Sequence, residues 1–220
     1  MHNEQYLNNL VNKYNNPAFI DENGLGCIFG PLVACAVMLP IQFSDDRVKD
    51  SKKIKHEDIY SLAPYLSTMV TYSFGVVNSE EILKIRNTFK ANRLAMVRAV
   101  QGLPKKPDAL FIDGKYTLPE SGVESYAVIK GDDKIFGISV ASILGKNFRD
   151  QLVMREYGFK YQKYDIKNCK GYRSPKHLIA IRKYGVTEEH RTWMPQIQRV
   201  LNGDYDNVIH KKYEHYWRSV

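Results

Sequence analysis

The chain has 220 residues, 44% of them hydrophobic, which is enough for one large domain with a real core. Its apolar runs are too short for a membrane span, residues 1–16 show no secretory signal pattern, and its three cysteines form no CxxC pair, so we expect a reducing, cytoplasmic setting without a zinc site. A net charge of +8 favours a polyanionic partner.

The chain alternates between predicted strands and helices. Strands are predicted at 18–20, 32–39, 69–77, 109–112 and 126–129, and helices at 57–65, 79–100, 138–155, 175–184 and from Thr187 onward. Asn78 and Ser174 are the predicted N-caps. The pattern predicts an α/β sheet domain at 1–156 and a C-terminal helical extension at 157–220.

Three of the predicted strands lead into carboxylates that lie beside glycines. Asp21 and Glu22 follow the first strand, Asp113 the fourth and Asp132 the fifth. A carboxylate at the end of a buried strand is costly to desolvate unless a cation or a donor meets it. The repeated arrangement therefore predicts a cluster of acids that holds divalent metal.

The chemistry of such a cluster points to phosphate substrates. Oxygen ligands without His or Cys favour Mg²⁺ or Mn²⁺. Two such ions about 3.5–4 Å apart activate a water and stabilise the leaving oxygen of a phosphodiester, without a protein nucleophile. A basic chain that gathers acids is typical of a metal-dependent enzyme acting on a polyanion.

Each acid also has a simpler interpretation. Asp21 and Glu22 fit a surface turn, and neighbouring strand residues point to opposite faces, so this pair needs a bend at the following glycines to share an ion. Either Asp132 or Asp133 fits a solvated loop position. Asp150 fits the exposed surface of a helix.

A series of motifs, in order from about residue 19 to 195, resembles the ribonuclease HII family. Where the family has Asp-Glu-Ala-Gly-Arg-Gly-Pro, this chain has Asp-Glu-Asn-Gly-Leu-Gly-Cys at 21–27. The others are Gly-Pro-Leu-Val-Ala at 30–34, Asp-Ser-Lys-Lys at 50–53, Asp-Gly at 113–114, Lys-Gly-Asp at 130–132, Ser-Val-Ala-Ser-Ile at 139–143, Lys-Gly-Tyr at 170–172 and His-Arg at 190–191. Each motif is short, but their ordered combination is specific.

The resemblance implies a ribonuclease H-like fold, with a mixed five-stranded sheet flanked by helices and a C-terminal helical part that closes over the substrate. It implies endonucleolytic cleavage of RNA paired with DNA, and of duplex DNA at embedded ribonucleotides, leaving 5′-phosphate and 3′-hydroxyl ends, as in DNA replication and repair. By motif position, two Mg²⁺ or Mn²⁺ ions are expected at Asp21, Glu22, Asp113 and Asp132. The family expectation is a monomer.

The same resemblance, with the basic residues around it, predicts the nucleic-acid contacts. They are Gly24, Leu25, Gly26, Ser51, Lys52, Lys53, Lys130, Lys146, Arg149, Tyr172 and Arg173. Tyr172 is expected to stack near the junction sugar and help sense its 2′-hydroxyl. The basic residues are expected to contact phosphates, although solvated lysines have the same appearance in a sequence. His177 and His190 are interpreted as structural, since the two-ion scheme needs no His base.

Several positions depart from the family pattern. Leu25 replaces Arg, Cys27 replaces Pro, Lys115 replaces Asn and Gly145 replaces Ala. Without the Arg, a cationic contact to the junction is lost, while backbone donors remain, so strict preference for single ribonucleotides is not assured. The sister family ribonuclease HIII also lacks this Arg, but Lys-Gly-Tyr and His-Arg favour HII.

Two other functions remain open from the sequence. One is a nuclease of the same fold that acts on DNA only, such as a resolvase. The other is a nucleic-acid-binding relative without turnover; the presence of all four acids argues against it, and Leu25 keeps it open.

Overall fold

The computed structural model describes residues 4–48 and 56–204. Its strands are β1 Pro17–Asn23, β2 Leu32–Met38, β3 Thr71–Val77, β4 Ala109–Asp113 and β5 Ser125–Val128. Its α-helices are α1 Glu4–Val11, α2 His56–Met69, α3 Ser79–Ile85, α4 Thr88–Gln101, α5 Phe136–Tyr157, α6 Ile166–Cys169, α7 Pro175–Tyr184 and α8 Pro195–Leu201. Within these residues no helix is both long enough and apolar enough to cross a membrane.

The five strands form one mixed sheet, as predicted, and their order in the sheet is β3-β2-β1-β4-β5. β1 is antiparallel to β2 and parallel to β4, which is in turn parallel to β5. Ile20 pairs with Ile112, so the residues that follow them, Asp21 and Asp113, lie next to each other on neighbouring parallel strands. The parallel pairing therefore accounts for the meeting of acids that are distant in sequence.

The described residues fall into two compact units. The first takes its residues from 1–23, 33–76 and 92–148 and carries most of the sheet. Its described apolar residues include one cluster around Val37 and Leu66 and another around Phe19 and Phe111. Every residue of β2 is buried, as its continuous apolar sequence indicates for a strand covered on both faces.

The second unit takes its residues from 24–32, 77–91 and 149 onward. Its core packs Phe29 with Tyr164, Leu178 and Ile197. The predicted domain boundary after residue 156 stays a prediction.

The predicted N-cap at Asn78 is confirmed, but the single long helix after it is wrong. The Asn78 side chain and Glu81 form a reciprocal capping box at the start of α3. The helix ends at Arg86, which has a left-handed φ of 46°, and the Asn87 side chain then accepts the N–H of Lys90 at 3.0 Å to begin α4. A second capping residue thus divides the segment.

The predicted start of α7 at Ser174-Pro175 is confirmed, whereas no helix begins at Thr187. The Ser174 hydroxyl accepts the N–H of His177 at 3.2 Å, and Gly185 ends the helix with a φ of 76°. The N–H of Thr187 donates to His190 Nδ1 at 2.9 Å, so this residue is used in a turn, and the next helix is α8.

Candidate metal and nucleic-acid site

The four predicted acids form one electrostatic cluster in the first unit. Burial, then the charges of Glu22 and Asp113, raise the pKa of Asp21 well above its usual value. Burial and Asp113, with a smaller effect of Asp132, raise the pKa of Glu22 to about 7. Asp113 therefore lies close enough to both Asp21 and Glu22 to oppose their ionisation, and Asp132 lies close enough to Glu22.

These acids do not form a ready-made metal cage. Among residues 4–48 and 56–204, no three His, Cys, Asp or Glu side chains are arranged to hold one ion. β1 continues to Asn23, so the strand does not end between Asp21 and Glu22, where a bend would be needed for both side chains to share one ion. Asp21 accepts a hydrogen bond from Ser142 on α5, and Glu22 accepts one from Asn92 on α4. Strand alternation thus directs the two carboxylates to different helices.

The donor chemistry of the cluster nevertheless fits a hard divalent cation. All of its ligand atoms are carboxylate oxygens, and burial together with neighbouring acids disfavours the ionised forms of Asp21 and Glu22. A bound divalent cation would offset this repulsion and stabilise the ionised carboxylates.

The backbone of the Lys-Gly-Asp motif explains how Asp113 and Asp132 are placed. Lys130 is left-handed, with a φ of 55°, and the N–H of Gly131 donates to Asp113 Oδ1 at 2.6 Å. A Cβ at Gly131 would lie 2.6 Å from Ile138 Cδ1 and 3.3 Å from Asp113 Oδ1. Glycine at position 131 therefore permits the close turn whose N–H binds Asp113 and whose next residue is Asp132.

Two serines and an asparagine that support the acids were missed as site residues from the sequence. Ser139 and Ser142 lie one turn apart on α5; Ser139 donates to the carbonyl of Asp132, and Ser142 to the Asp21 carboxylate. The Ser-Val-Ala-Ser-Ile motif was a usable signal, because serines three apart share a helix face. Asn92 gave no such signal.

Loop 24–31 in the second unit is held from its inner side by Arg191. This side chain is 1% exposed; Nη1 donates to the carbonyls of Gly24 and Leu25 at 2.8 and 3.0 Å, and Nη2 to that of Gly30 at 3.1 Å. Because N–H and C=O point in opposite directions in a trans peptide, the amides of Leu25 and Gly26 face away from Arg191. A Cβ at Gly26 would meet nothing within 4 Å, so this side of the loop is open.

Arg149 does not fit its predicted contact with the nucleic-acid backbone. It is fully buried, and its guanidinium donates to the carbonyls of Pro31 at 3.1 Å, Lys170 at 2.9 Å and Phe29 at 3.4 Å. Because the Arg149 guanidinium is fully buried and donates to three carbonyls, it is not available to contact a phosphate. Asp150, predicted on a helix surface, is also fully buried and lies 3.7 Å from Arg149.

Tyr172 is presented by a glycine-dependent turn. Gly171 has a φ of 82°, and a Cβ there would lie 2.5 Å from the Phe29 carbonyl, so the motif needs glycine. The Tyr172 ring lies over the Arg149 guanidinium, 5.4 Å from Cζ to the ring centroid, and the residue as a whole is 37% exposed. Burial, then Cys27, raises the pKa of Tyr172, so its hydroxyl stays protonated at neutral pH.

His177 and His190 are fully buried in the second unit, with their Nε2 atoms 3.1 Å apart. Burial lowers the pKa of His177 to about 4, and burial together with His177 lowers that of His190 to about 3. Both rings are therefore neutral at physiological pH.

The structure describes three of the remaining predicted contact residues. Lys130 and Arg173 are exposed and Lys146 is half-buried on α5. Ser51, Lys52 and Lys53 lie outside the described residues.

Comparison with known sequences identifies relatives over most of the chain. The family model described as Ribonuclease HII matches residues 18–201. A protein named Ribonuclease HII from Porphyromonas gingivalis is 38% identical over 172 residues, which cover 78% of this chain and 85% of the relative. Another from Lactobacillus gasseri is 43% identical over 175 residues, covering 79% of this chain and 68% of the relative.

Solved structures share the fold at lower identity. The ribonuclease H2 from Pyrococcus horikoshii superposes with a TM-score of 0.69 at 24% identity, covering 87% of this chain and all of that one. Bst-RNase HIII in complex with Mn²⁺ gives a TM-score of 0.61 at 18% identity, covering 85% of this chain and 69% of that one. The sheet topology, the match across residues 18–201 and the identity to named relatives together show that this chain belongs to the ribonuclease HII family and is a ribonuclease H.

Proposed function

We propose that this enzyme cleaves the RNA strand of RNA–DNA hybrids, and duplex DNA at embedded ribonucleotides, by two-metal-ion hydrolysis that leaves 5′-phosphate and 3′-hydroxyl ends. The observation that carries the proposal is the cluster of Asp21, Glu22, Asp113 and Asp132, in which Asp113 raises the pKa of both Asp21 and Glu22 and Asp132 raises that of Glu22. The Mn²⁺ complex of Bst-RNase HIII, a protein of the same fold, supports the metal assignment.

The four acids would hold two Mg²⁺ or Mn²⁺ ions, which when bound activate a water and stabilise the leaving 3′-oxygen. The chain's own contribution is to orient the carboxylates. Ser142 donates to Asp21 and Asn92 to Glu22, while Gly131 fixes one oxygen of Asp113. Such supporting donors leave the remaining carboxylate oxygens for the ions.

The substrate contacts are assigned to open surfaces of each unit. In the second unit, the outward amides of Leu25 and Gly26 and the ring of Tyr172 would recognise the ribonucleotide, with Arg173 near a phosphate. In the first unit, Lys130 and Lys146 would contact phosphates, and Ser51, Lys52 and Lys53 are assigned this role by motif alone. We extend the proposal to a substrate-binding role for 157–220, a monomeric state and a cytoplasmic location.

The decisive test compares matched RNA–DNA hybrid, all-DNA duplex and DNA duplex with one ribonucleotide, each with Mg²⁺. We expect cleavage of the hybrid and of the single-ribonucleotide duplex, with 5′-phosphate on the products and no cleavage of all-DNA. Cleavage of the all-DNA duplex at a comparable rate would favour the DNA nuclease, and binding without cleavage of any substrate would favour the non-catalytic relative.

Leu25 is predicted to relax the preference for single ribonucleotides. We expect the wild-type enzyme to cut a run of four ribonucleotides at least as well as one, because the loop offers only backbone donors. Leu25→Arg should raise the single-to-run ratio of kcat/KM by about 10-fold, the scale of one hydrogen bond to a charged group. Leu25→Met, which adds no charge, is the matched control and should leave the ratio unchanged. An Arg variant with the wild-type ratio would contradict the prediction.

The pH dependence of the metal requirement follows from the raised pKa values. In the metal-free protein Glu22 has a pKa of about 7 and that of Asp21 is also raised, so both bind protons more readily than ordinary carboxyls. Metal must displace these protons, and the Mg²⁺ concentration for half-maximal activity should therefore rise as the pH falls below about 7. Titrations of rate against Mg²⁺ between about pH 6 and 8 measure this, with saturating Mg²⁺ restoring the rate. A constant Mg²⁺ requirement across that range would be inconsistent with proton competition.

A further inference from the structure

The two buried histidines form a hydrogen-bond chain with a fixed direction. The N–H of Thr187 donates to His190 Nδ1 at 2.9 Å, so this nitrogen carries no proton. His190 Nε2 therefore carries the proton and donates across 3.1 Å to His177 Nε2. His177 Nδ1 must then be protonated, and it donates to the Tyr172 carbonyl at 3.0 Å. The backbone donor at one end and the carbonyl at the other determine both tautomers.

This hydrogen-bond chain ends at Tyr172, whose backbone is held by hydrogen bonds at both its N–H and its carbonyl. The N–H of Tyr172 donates to the carbonyl of Cys169 at 2.8 Å, and its own carbonyl also accepts the N–H of Ser174 at 2.9 Å. The ring is seated over Arg149, and its hydroxyl hydrogen-bonds the Cys27 side chain. Tyr172 is thus an exposed ring on a backbone anchored from the interior.

A purely space-filling role does not account for two imidazoles at this position. Apolar rings already surround the pair, with the centroids of Phe29 and Tyr164 at 5.0 and 5.1 Å from that of His190. Burying polar groups costs free energy unless each finds a partner, and here every ring nitrogen has one. The directional link to Tyr172 is what an apolar pair would lack.

We propose that His177 and His190 are positioning residues for Tyr172, which hold its carbonyl and thereby set the placement of its ring against the ribonucleotide sugar. This inference rests on the proposed role of Tyr172 in sensing the ribonucleotide. The histidines touch no substrate and transfer no proton in the reaction. They act through the backbone of the residue that does touch it.

The first test compares a broken with a conserved link at His177. His177→Phe removes the donor to Tyr172, whereas the amide nitrogen of His177→Asn lies near the position of Nδ1 and retains it. On duplex DNA with one ribonucleotide, we expect His177→Phe to lower kcat/KM by about 10–100-fold, the scale of a small misplacement of a substrate-positioning group, and His177→Asn to recover most of it. Equal losses in the two variants would overturn the inference.

A double-mutant cycle separates positioning from general stability. In the Tyr172→Ala background, His177→Phe should cause no further loss of kcat/KM, because no ring remains to be misplaced. Additive losses would overturn the inference while leaving the role of Tyr172 standing. Unchanged cleavage by Tyr172→Ala alone would instead refute that role, so the two failures are distinguishable.

Two polar variants at His190 test the same hydrogen-bond link if His177→Phe does not fold. His190→Gln keeps a donor near Nε2, facing His177, whereas His190→Asn keeps only the group near Nδ1. We expect the Gln variant to retain more activity than the Asn variant at similar melting temperatures. The reverse order would contradict a directional link.

Discussion

Asp113→Asn is expected to abolish cleavage while leaving hybrid binding intact. The Asn side chain keeps an oxygen that accepts the N–H of Gly131, now at 2.6 Å from Asp113 Oδ1, so the local fold should persist. It removes a negative charge from the cluster that would hold the ions. The loss in kcat should be at least about 10³-fold, comparable to losing a group that stabilises charge in the transition state.

The matched control is Asp133→Asn, which changes an exposed acid beside Asp132. It should cleave at nearly the wild-type rate. Rates under single-turnover conditions and hybrid affinity by fluorescence anisotropy would be measured for both variants. An Asp113→Asn protein that still cuts at the control's rate would remove Asp113 from the proposed metal site, and one that no longer binds hybrid would point to a wider structural defect.

Gly145→Ala is expected to destabilise the protein, although alanine is the family's usual residue there. The added Cβ would lie 2.6 Å from Asn23 Nδ2 and 3.2 Å from Cys35 Cβ. Overpacking of this kind costs about 1–3 kcal/mol, offset in part by roughly 1 kcal/mol from the better helix propensity of Ala. Asn23 also stands where the family motif has Ala, so the larger residue on β1 occupies space that Gly145 leaves on α5.

The double variant Asn23→Ala/Gly145→Ala should reverse the loss. It restores the family's pair and removes the Asn23 amide nitrogen, which is buried without a hydrogen-bond partner among the described residues. Chemical denaturation of the wild type, both single variants and the double variant gives the coupling free energy, expected at about 2 kcal/mol. Simple additivity would show that the two departures from the family are independent.

Local signals in the sequence were enough to predict where helices begin. The ends of the predicted strands were enough to predict which acids come together. Asn78 and Ser174 cap helices with their own side chains, so a few neighbouring residues suffice to identify them. The meeting of Asp21 with Asp113 follows from apolar strands that end in acids, once the strands pair in parallel. Such features depend on short-range chemistry or on one pairing rule.

Features that depend on tertiary contacts were not predictable in the same way. Asp150 was expected at a surface because charged residues usually lie there, yet it is buried beside Arg149. Thr187 has the composition of a helix start, but its N–H is taken by His190. The support of Glu22 by Asn92 needs α4 to face β1, and helical periodicity does not specify which strand a polar residue meets.

The grip of Arg191 on loop 24–31 has a consequence for the order of folding. The hydrogen bond from this guanidinium to the Gly24 carbonyl joins residues 167 positions apart. Contacts of such long range form late, because the entropy of closing the intervening chain must first be overcome. During synthesis the loop therefore acquires its final shape only after residue 191 has left the ribosome. A nascent chain that stops before residue 191 lacks the guanidinium that holds the carbonyls of loop 24–31.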